Sequence, residues 1–337
     1  MHKSSAHLTA LFIFVGFLGS AATASASPWT LPKDDLALML SYDFGYAQRE
    51  FLPDSTYQHF PLNGQFQSND LRLDSRYGFT DRFEGEVELT LKSVNYAADP
   101  VVLGLPKGQD TVDLAGARAS VTDFSQTAIG AGDAYFAGRY NFYRKLIAFT
   151  EETRVKLPTG YDEPQQTFDP ESGTVDDDVA LGDGQTDIEE SLLLGGFIPF
   201  TRSFFRLDAG FRFRMGDPGH QAIGAFKVGQ FIGKHFIAFA GVRGALTVTQ
   251  GNVIGKTFVA TVDNLQPEDV APGDNTKAID LRLDKDFAAA EGGAIFTPFE
   301  GVEIQAAYSY IFWGANIPAI HTLTIGTALR LEDITAE

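Results

Sequence analysis

Hydrophobic and polar residues alternate over residues 69–94, which makes this stretch the most informative part of the chain. One parity is largely apolar and contains Leu71, Leu73, Tyr77, Phe79, Phe83, Val87, Leu89 and Leu91. The other parity is strongly charged and contains Asp70, Arg72, Asp74, Arg76, Glu84, Glu86, Glu88 and Lys92. Because successive side chains of a β-strand point to opposite faces, the pattern predicts a hairpin with one apolar face, one charged face and a turn at 80–82.

The same alternation recurs along nearly the whole chain. It predicts twelve strands, at 36–46, 70–79, 83–94, 131–142, 145–157, 185–198, 203–215, 221–232, 235–248, 278–296, 301–313 and 319–331. A membrane can be crossed by strands only when they close into a ring, so we expect an all-β, antiparallel, transmembrane up-and-down β-barrel with lipid outside and a polar lumen. Glu151, Lys285 and Glu291 fall on the apolar parity, which predicts a bulge or a shifted boundary in the fifth and tenth strands.

The predicted connections alternate between short and long, as they do in outer-membrane barrels. An even number of strands then places both termini on the periplasmic side. Aromatic residues flank every short turn, and we expect them to form a girdle at the membrane interface. Its predicted members are Phe79, Phe83, Phe142, Tyr143, Phe197, Phe200, Phe204, Phe231, Phe236, Phe296 and Phe299.

The first 26 residues resemble a cleavable secretory signal. Lys3 precedes an apolar run at 8–22, and Ala24-Ser25-Ala26 fits a small-x-small cleavage site. The run is short for a spanning helix, which favours removal over retention as an anchor. We therefore expect residues 27–337 to form a single barrel domain in the outer membrane of a Gram-negative cell.

Charge and cysteine content narrow the possibilities further. The net charge of −18 repels nucleic acid, so nucleic-acid binding is excluded as a function class. The chain contains no cysteine, which excludes a small disulfide-stapled fold.

The predicted lumen is the strongest candidate for a functional surface. The lining residues that we single out share the polar parity of their strands: Arg72, Asp74, Arg76, Glu86, Glu88, Arg139, Arg206, Asp208, Arg212, Arg214, Arg243 and Arg282. Around the turn at 80–82, Arg76 should lie opposite Glu86. Two readings stay open, since such residues form either a salt-bridge network that fills the barrel or a selectivity lining for a solute.

Other chemistry finds less support in the sequence. His321 should face lipid near the outer interface, and only threonines lie near it at a suitable spacing for a Ser/His arrangement. The acidic segment 162–187 offers oxygen ligands for calcium without a known calcium-binding spacing. We therefore predict no enzyme activity, no cofactor and no metal, and we keep a lipid hydrolase as a minor alternative.

Several short motifs resemble one known family. They are Tyr77-Gly78-Phe79-Thr80-Asp81-Arg82, Gly132-Asp133, Arg139-Tyr140, Lys156-Leu157-Pro158-Thr159-Gly160, Gly182-Asp183-Gly184-Gln185-Thr186-Asp187 and Trp313-Gly314-Ala315-Asn316. In this order they resemble the outer-membrane transporters of the phenol meta-pathway (the MetA-pathway of phenol degradation). The resemblance implies a barrel that moves small aromatic or hydrophobic solutes, and it brings no catalytic residues. The C-terminus departs from the family, because the chain ends in Leu331-Glu332-Asp333-Ile334-Thr335-Ala336-Glu337 rather than in an aromatic residue.

These observations favour a passive outer-membrane channel or transporter with a charged lumen. The expected partners are outer-membrane lipid, a small-molecule solute and the barrel-assembly machinery. A structural or adhesive surface barrel with a closed lumen is the alternative from a different class.

Overall fold

A computed structural model of the protein describes residues 28–102, 121–161, 164, 180–269 and 275–332. The predicted signal peptide, most of the acidic segment 162–187 and the last five residues lie outside the described part. Within that part, no helix is both long enough and apolar enough to cross a membrane.

Twelve antiparallel strands form a closed ring in which each strand pairs with its neighbours in the chain. The ring closes where the first and last strands pair, with Leu36 opposite Leu331. The strands are β1 (Leu36–Ala47), β2 (Gln65–Thr80), β3 (Phe83–Ala97), β4 (Gln126–Ala131 and Ala134–Arg144), β5 (Ile147–Leu157), β6 (Asp187–Ile198), β7 (Ser203–Arg214), β8 (Gln221–Ile232), β9 (Phe236–Thr247), β10 (Asp286–Phe299), β11 (Val302–Ala315) and β12 (His321–Leu331). The predicted fold class and strand number are confirmed.

The predicted assignment of faces agrees with the burial of the side chains. On β2, Leu71 and Leu73 point outward and are 42% and 46% exposed, whereas Asp74 and Arg76 point inward and are 8% and 3% exposed. In a soluble protein this would be inverted, because burial of apolar surface drives folding in water. The arrangement is stable only where the solvent around the outer wall is itself apolar.

The three residues that broke the alternation have different explanations. The tenth strand was predicted at 278–296, but the structure starts β10 at Asp286, so Lys285 precedes the strand. Glu291 faces the lumen beside Lys227, on the same parity of β10 as the buried Ala289 and Ile295. The predicted parity was wrong because it was extended from residues 278–284, which do not belong to this barrel strand. Glu151 does point outward from β5.

Connections are short at one end of the barrel, called the short-turn end, and mostly long at the other, called the long-loop end. Small elements build the long-loop end: a sheet of Arg49–Phe51, Tyr57–His59 and Ile317–Pro318; paired strands Val101–Val102 and Val121–Thr122; a hairpin of Gly255–Ala260 and Thr276–Leu281; and 3-10 turns Pro61–Asn63 and Pro267–Asp269. The described loops of the long-loop end therefore have secondary structure of their own.

The expected aromatic girdle is only partly present. Phe79, Phe83, Phe142, Tyr143, Phe200, Phe236 and Phe299 are exposed at or beside the short turns. The expectation was wrong for Phe197, Phe204 and Phe231, which lie inside the barrel and contact one another. Their parity already matched the lumen residues of β6, β7 and β8, and nearness to a turn does not override the alternation of a strand.

Candidate functional site in the barrel lumen

Arg139 is the centre of a charged wall on the inner face of β2–β5. Its side chain is fully buried, and its guanidinium donates to Glu84 at 2.6 Å and also to Glu86 and Glu152. The guanidinium of Arg76 donates to the same Oε1 of Glu84, at 2.6 Å. Charges removed from water are stable only when they are paired in this way.

The strand register explains why these residues meet. Glu84 lies opposite Arg139 across β3 and β4, and Arg139 lies opposite Glu152 across β4 and β5. Arg76 lies opposite Glu86, as the sequence predicted. The ion pair of Arg76 is nevertheless with the diagonal neighbour Glu84, whereas Glu86 pairs with Arg139.

The remaining predicted lining residues of β2 and β3 have different surroundings. Arg72 forms an ion pair with Asp43 of β1. Glu88 accepts from Arg154 of β5 at 2.6 Å. Asp74 lies beside them with no ion pair or hydrogen bond among the described residues, and its Oδ1 atom is buried.

A second group of predicted residues lies on β7 and pairs locally. Arg206 donates to Asp208 at 2.8 Å, and Arg212 donates to Glu189 of β6 at 2.5 Å. Arg214 contacts Asp183 and Asp187 at the long-loop end. The structure therefore does not bring these residues into the Arg139 cluster.

Two predicted lining residues differ from the rest. Arg243 lies on β9 with its guanidinium 5.7 Å from the centre of the Phe287 ring. Arg282 does not belong to a barrel strand, because the predicted tenth strand included a loop hairpin. It lies between that hairpin and β10, and its guanidinium donates to the carbonyl of Gly251.

Residues 28–35, for which the alternation predicted no strand, are called the N-terminal segment. It lies inside the short-turn end, where Trp29 is 4% exposed and Leu31 is 2% exposed. The carbonyl of Pro28 accepts from Asn141 at 2.8 Å and from Thr150 at 2.5 Å. The amide of Leu31 donates to Glu84 at 2.7 Å, which joins the segment to the charged wall.

Two glycines make room for the N-terminal segment. A Cβ atom at Gly78 would lie 1.9 Å from the carbonyl oxygen of Pro32, and a Cβ at Gly195 would lie 2.3 Å from the ring of Pro28. The backbone of Gly78 also binds the segment, because its N–H donates to the backbone carbonyl of Asp35 at 3.0 Å. Alternation of hydrophobic residues carries no trace of such contacts, which is why the sequence did not indicate them.

Apolar side chains fill the lumen on the side opposite the charged wall. Ile237, Phe239 and Ile295 are buried there, and Phe204 and Phe231 pack against them. The short-turn half of the barrel therefore contains the N-terminal segment, an ion-pair network and a hydrophobic cluster.

The long-loop half contains a cavity of about 940 Å³. Its upper walls are apolar and come mainly from the loops, with Phe51, Phe60, Phe66, Tyr96, Leu265 and Ile317. Charged residues line it as well: Lys92, Asp133, Lys156, Asp183, Asp187 and Lys285. Lys156 is matched by Asp183 at 2.5 Å and Asp187 at 2.9 Å, whereas no carboxylate among the described residues lies within 4 Å of the ammonium groups of Lys92 and Lys285.

His321 lies on the outside, at the start of β12, as predicted. Its ring stacks on Tyr310 with 4.3 Å between ring centres, and Nδ1 lies 2.5 Å from the hydroxyl of Tyr308. These contacts are those of an aromatic residue at the barrel surface.

A closed antiparallel ring with an apolar outer wall, short turns at one end and long loops at the other defines an outer-membrane β-barrel. Comparison with solved structures supports this class. The chain is similar to the COG4313 outer membrane channel from Pseudomonas putida F1, with a TM-score of 0.61, 11% identity and coverage of 91% of this chain and 98% of that one.

Two further solved structures have lower scores. The KdgM porin has a TM-score of 0.41 and 6% identity over 86% of this chain and 98% of that one. The CymD monoaromatic hydrocarbon channel has a TM-score of 0.38 and 9% identity over 88% of each chain. No protein-family model matches the sequence, and no curated protein does.

Proposed function

We propose that the protein is a passive outer-membrane channel or transporter for small aromatic or hydrophobic solutes. The observation that carries this proposal is the cavity at the long-loop end. Ligand sites are typically concave, mostly apolar and equipped with a few convergent polar groups, and their volumes are about 300–1,000 Å³. The cavity of about 940 Å³ has aromatic walls and two lysine ammonium groups with no carboxylate of the described residues within 4 Å, which suits a small apolar solute that carries a polar or acidic end.

Passage from the cavity to the short-turn end requires the N-terminal segment to move. The segment is held by hydrogen bonds of Asn141, Thr150 and Glu84, and it adjoins the charged wall. In this proposal the wall residues have two roles, since they stabilise the closed barrel and line the path once the segment is displaced. No energy source is needed for such passage.

The test is solute flux through the mature chain reconstituted in liposomes. We expect benzyl alcohol and benzoate to enter protein-containing liposomes faster than protein-free ones, and glucose to show a much smaller difference. Planar-bilayer recordings on the same preparation give the conductance. Equal rates with and without protein, for all three solutes and also after the N-terminal segment is loosened, would contradict transport.

The alternative is a structural or adhesive surface barrel with a closed lumen. The specific observation in its favour is that the N-terminal segment and the hydrophobic cluster fill the short-turn half. A barrel with this function should stay silent in bilayers even when the segment is loosened.

We also propose that residues 1–26 are removed on export and that the barrel lies in the outer membrane with its short turns facing the periplasm. Mass spectrometry of protein purified from outer membranes tests this, with Ser27 expected as the first residue. A retained N-terminus, or recovery from the inner membrane, would contradict it.

A further inference from the structure

Three carboxylates lie close together on the charged wall. They are next to Glu84, the residue of β3 that binds the N-terminal segment. Asp74 of β2 lies opposite Glu88 of β3, and Glu86 lies two residues further along the same face. One oxygen of each carboxylate lies within 4.8 Å of the others. All three residues are buried.

Arginines neutralise this group only in part. Glu86 accepts from Arg139 through Oε2, and Glu88 accepts from Arg154 through Oε2. Oδ1 of Asp74 and Oε1 of Glu86 are buried and have no hydrogen-bond partner among the described residues. A buried carboxylate oxygen without a partner is costly, because it has lost its hydration and gained nothing in exchange.

Of the two residues with an unpartnered carboxylate oxygen, Asp74 gives the stronger indication of a binding site. Its side chain is more than nine-tenths buried, and none of its atoms forms an ion pair or hydrogen bond among the described residues. Its carboxylate nevertheless points toward two others at short range. Three ionised carboxylates at these distances repel one another unless a positive charge lies between them.

The formal charge of the wall indicates how large that positive charge is. Five carboxylates, those of Asp74, Glu84, Glu86, Glu88 and Glu152, face three guanidinium groups, those of Arg76, Arg139 and Arg154. Of the neighbouring cations, Arg72 is paired with Asp43, and Arg206 is paired with Asp208 and also interacts with Glu152. Counted over the five carboxylates and three guanidinium groups alone, two negative charges are left over.

We propose that Asp74, Glu86 and Glu88 bind one divalent cation of the calcium class inside the barrel. Calcium and magnesium prefer carboxylate oxygens at about 2.0–2.6 Å, so oxygens on opposite sides of an ion lie about 4–5 Å apart. The separations within this group fit that range. The unpartnered oxygens of Asp74 and Glu86 supply two ligands, Glu88 supplies a third, and lumen water completes the coordination. The absence of sulfur or nitrogen donors in the group favours a hard cation over zinc or copper.

The position of this site connects it with the closed state. Glu84 lies on the same face of β3 as Glu86 and accepts the N–H of Leu31 in the N-terminal segment. A bound cation draws β2 and β3 together at the point where the segment is held. Cation binding should therefore stabilise the barrel in its closed form.

The first experiment measures calcium binding to the folded mature chain in detergent. The protein is treated with EDTA, desalted and titrated with CaCl₂ by isothermal calorimetry, and bound metal is counted by elemental analysis. We expect one site of this kind per chain and a rise in thermal midpoint on adding calcium. Acidic loops also attract calcium, so the site is identified by its loss in Asp74→Asn and, separately, in Glu88→Gln.

The matched control is Asp208→Asn, which removes a lumen carboxylate that already has its own arginine. Asp74→Asn should lower the affinity of the lumen site on the order of tenfold or more, because it removes both a ligand and a charge, whereas Asp208→Asn should keep it. Heat-modifiable migration on SDS gels shows that each variant is folded.

Two results would overturn the proposal. One is a stripped wild-type chain that takes up no calcium, and the other is an Asp74→Asn variant that binds as the wild type does. In either case protons rather than a metal ion neutralise the leftover negative charge. Asp74→Asn should then stabilise the barrel, and the stability should not depend on calcium. Neither result bears on solute flux, which is measured separately.

Discussion

Arg139 shows how much one residue can determine in a barrel lumen. Three carboxylates from two neighbouring strands depend on its guanidinium, and the side chain is fully buried. Removal of one partner from a buried ion pair leaves uncompensated charge in a poorly solvated place. The effect should therefore exceed that of any surface arginine.

We expect Arg139→Met to lower the free energy of unfolding by about 3–5 kcal/mol. Arg206→Met is the matched control, since Arg206 forms its ion pair with Asp208 of its own strand rather than with carboxylates of two neighbouring strands, and its effect should be clearly smaller. Guanidinium unfolding in detergent micelles, followed by tryptophan fluorescence, gives both values. If the two variants lose the same free energy of unfolding, the Arg139 cluster stabilises the barrel no more than the Arg206–Asp208 pair does.

The charge of Lys285, rather than the shape of its side chain, is expected to determine its effect on binding. If the cavity binds solutes with an acidic end, Lys285→Met should weaken binding of benzoate on the order of tenfold, since a charge-assisted contact is lost. Binding of benzyl alcohol should change little. Lys256→Met, in the loop hairpin and paired with Asp280, is the control and should leave both affinities unchanged. Loss of both ligands in Lys285→Met would instead indicate a collapsed cavity.

The N-terminal segment is the element on which the closed state depends. Gly78→Ala places a methyl group where the Pro32 carbonyl lies, so the segment must move while β2 keeps its pairing. We expect higher single-channel conductance and faster cleavage of the segment by an added protease.

Gly138→Ala is the control for that variant, because its Cβ would meet the Phe83 ring at an ordinary 3.5 Å. Its conductance should equal that of the wild type. A silent Gly78→Ala barrel whose segment is nevertheless cleaved faster would favour the structural or adhesive function.

The loop segment around Asp183 should respond to acid. Burial raises the pKa of Asp183 and Lys156 lowers it, and the net result is a lowered pKa. A carboxyl with a lowered folded-state pKa contributes stability above its unfolded pKa of 3.8, and this is lost as the pH falls through the folded value. Amide exchange at 182–186 should therefore accelerate below about pH 4. In Asp183→Asn the exchange should already be fast at pH 7 and change less with acid.

At the scale of elements, sequence alternation predicted most of what the structure contains. The strands were found because lipid outside and charge inside impose a period of two, and β7 pairs with both neighbours without a register shift. Register shifts occur near Phe79 in β2 and near Phe312 in β11. It failed at β10, since Thr276–Leu281 also alternates but pairs with Gly255–Ala260 in a loop. The N-terminal segment was missed because it has no periodicity, and its contacts with Gly78 and Gly195 join residues far apart in the chain. The lumen residues could be assigned to a face, but which arginine pairs with which acid depends on register and side-chain reach.

The barrel uses the membrane as its solvent, and the outward-facing carboxylate of Glu151 departs from this. Glu151 is the fifth of the eleven residues of β5, and it lies opposite Tyr140 and Leu192 of the neighbouring strands. Charge on the lipid face destabilises a barrel, although acids cost less than lysine or arginine. Glu151→Leu should therefore raise the free energy of unfolding by about 1–2 kcal/mol in lipid vesicles.

The comparison for that variant is Glu268→Leu, in the exposed turn Pro267–Asp269 of the long-loop end. It should change the stability by no more than a few tenths of a kcal/mol, about the size of an ordinary surface substitution. If Glu151→Leu is neutral or destabilising, this part of the wall does not face hydrocarbon.

The location of the N-terminal segment bears on how the ring is held closed. Its contacts include β2–β6, the first half of the barrel, and also β12, since Asp35 forms an ion pair with Arg330 beside the seam that joins β1 to β12. A segment that is hydrogen-bonded to β2 and ion-paired with β12 spans the first strand, which lies between those two in the ring. Residues 28–35 should therefore reinforce the closure of the ring, so that their loss would weaken the seam as well as empty the short-turn half of the lumen.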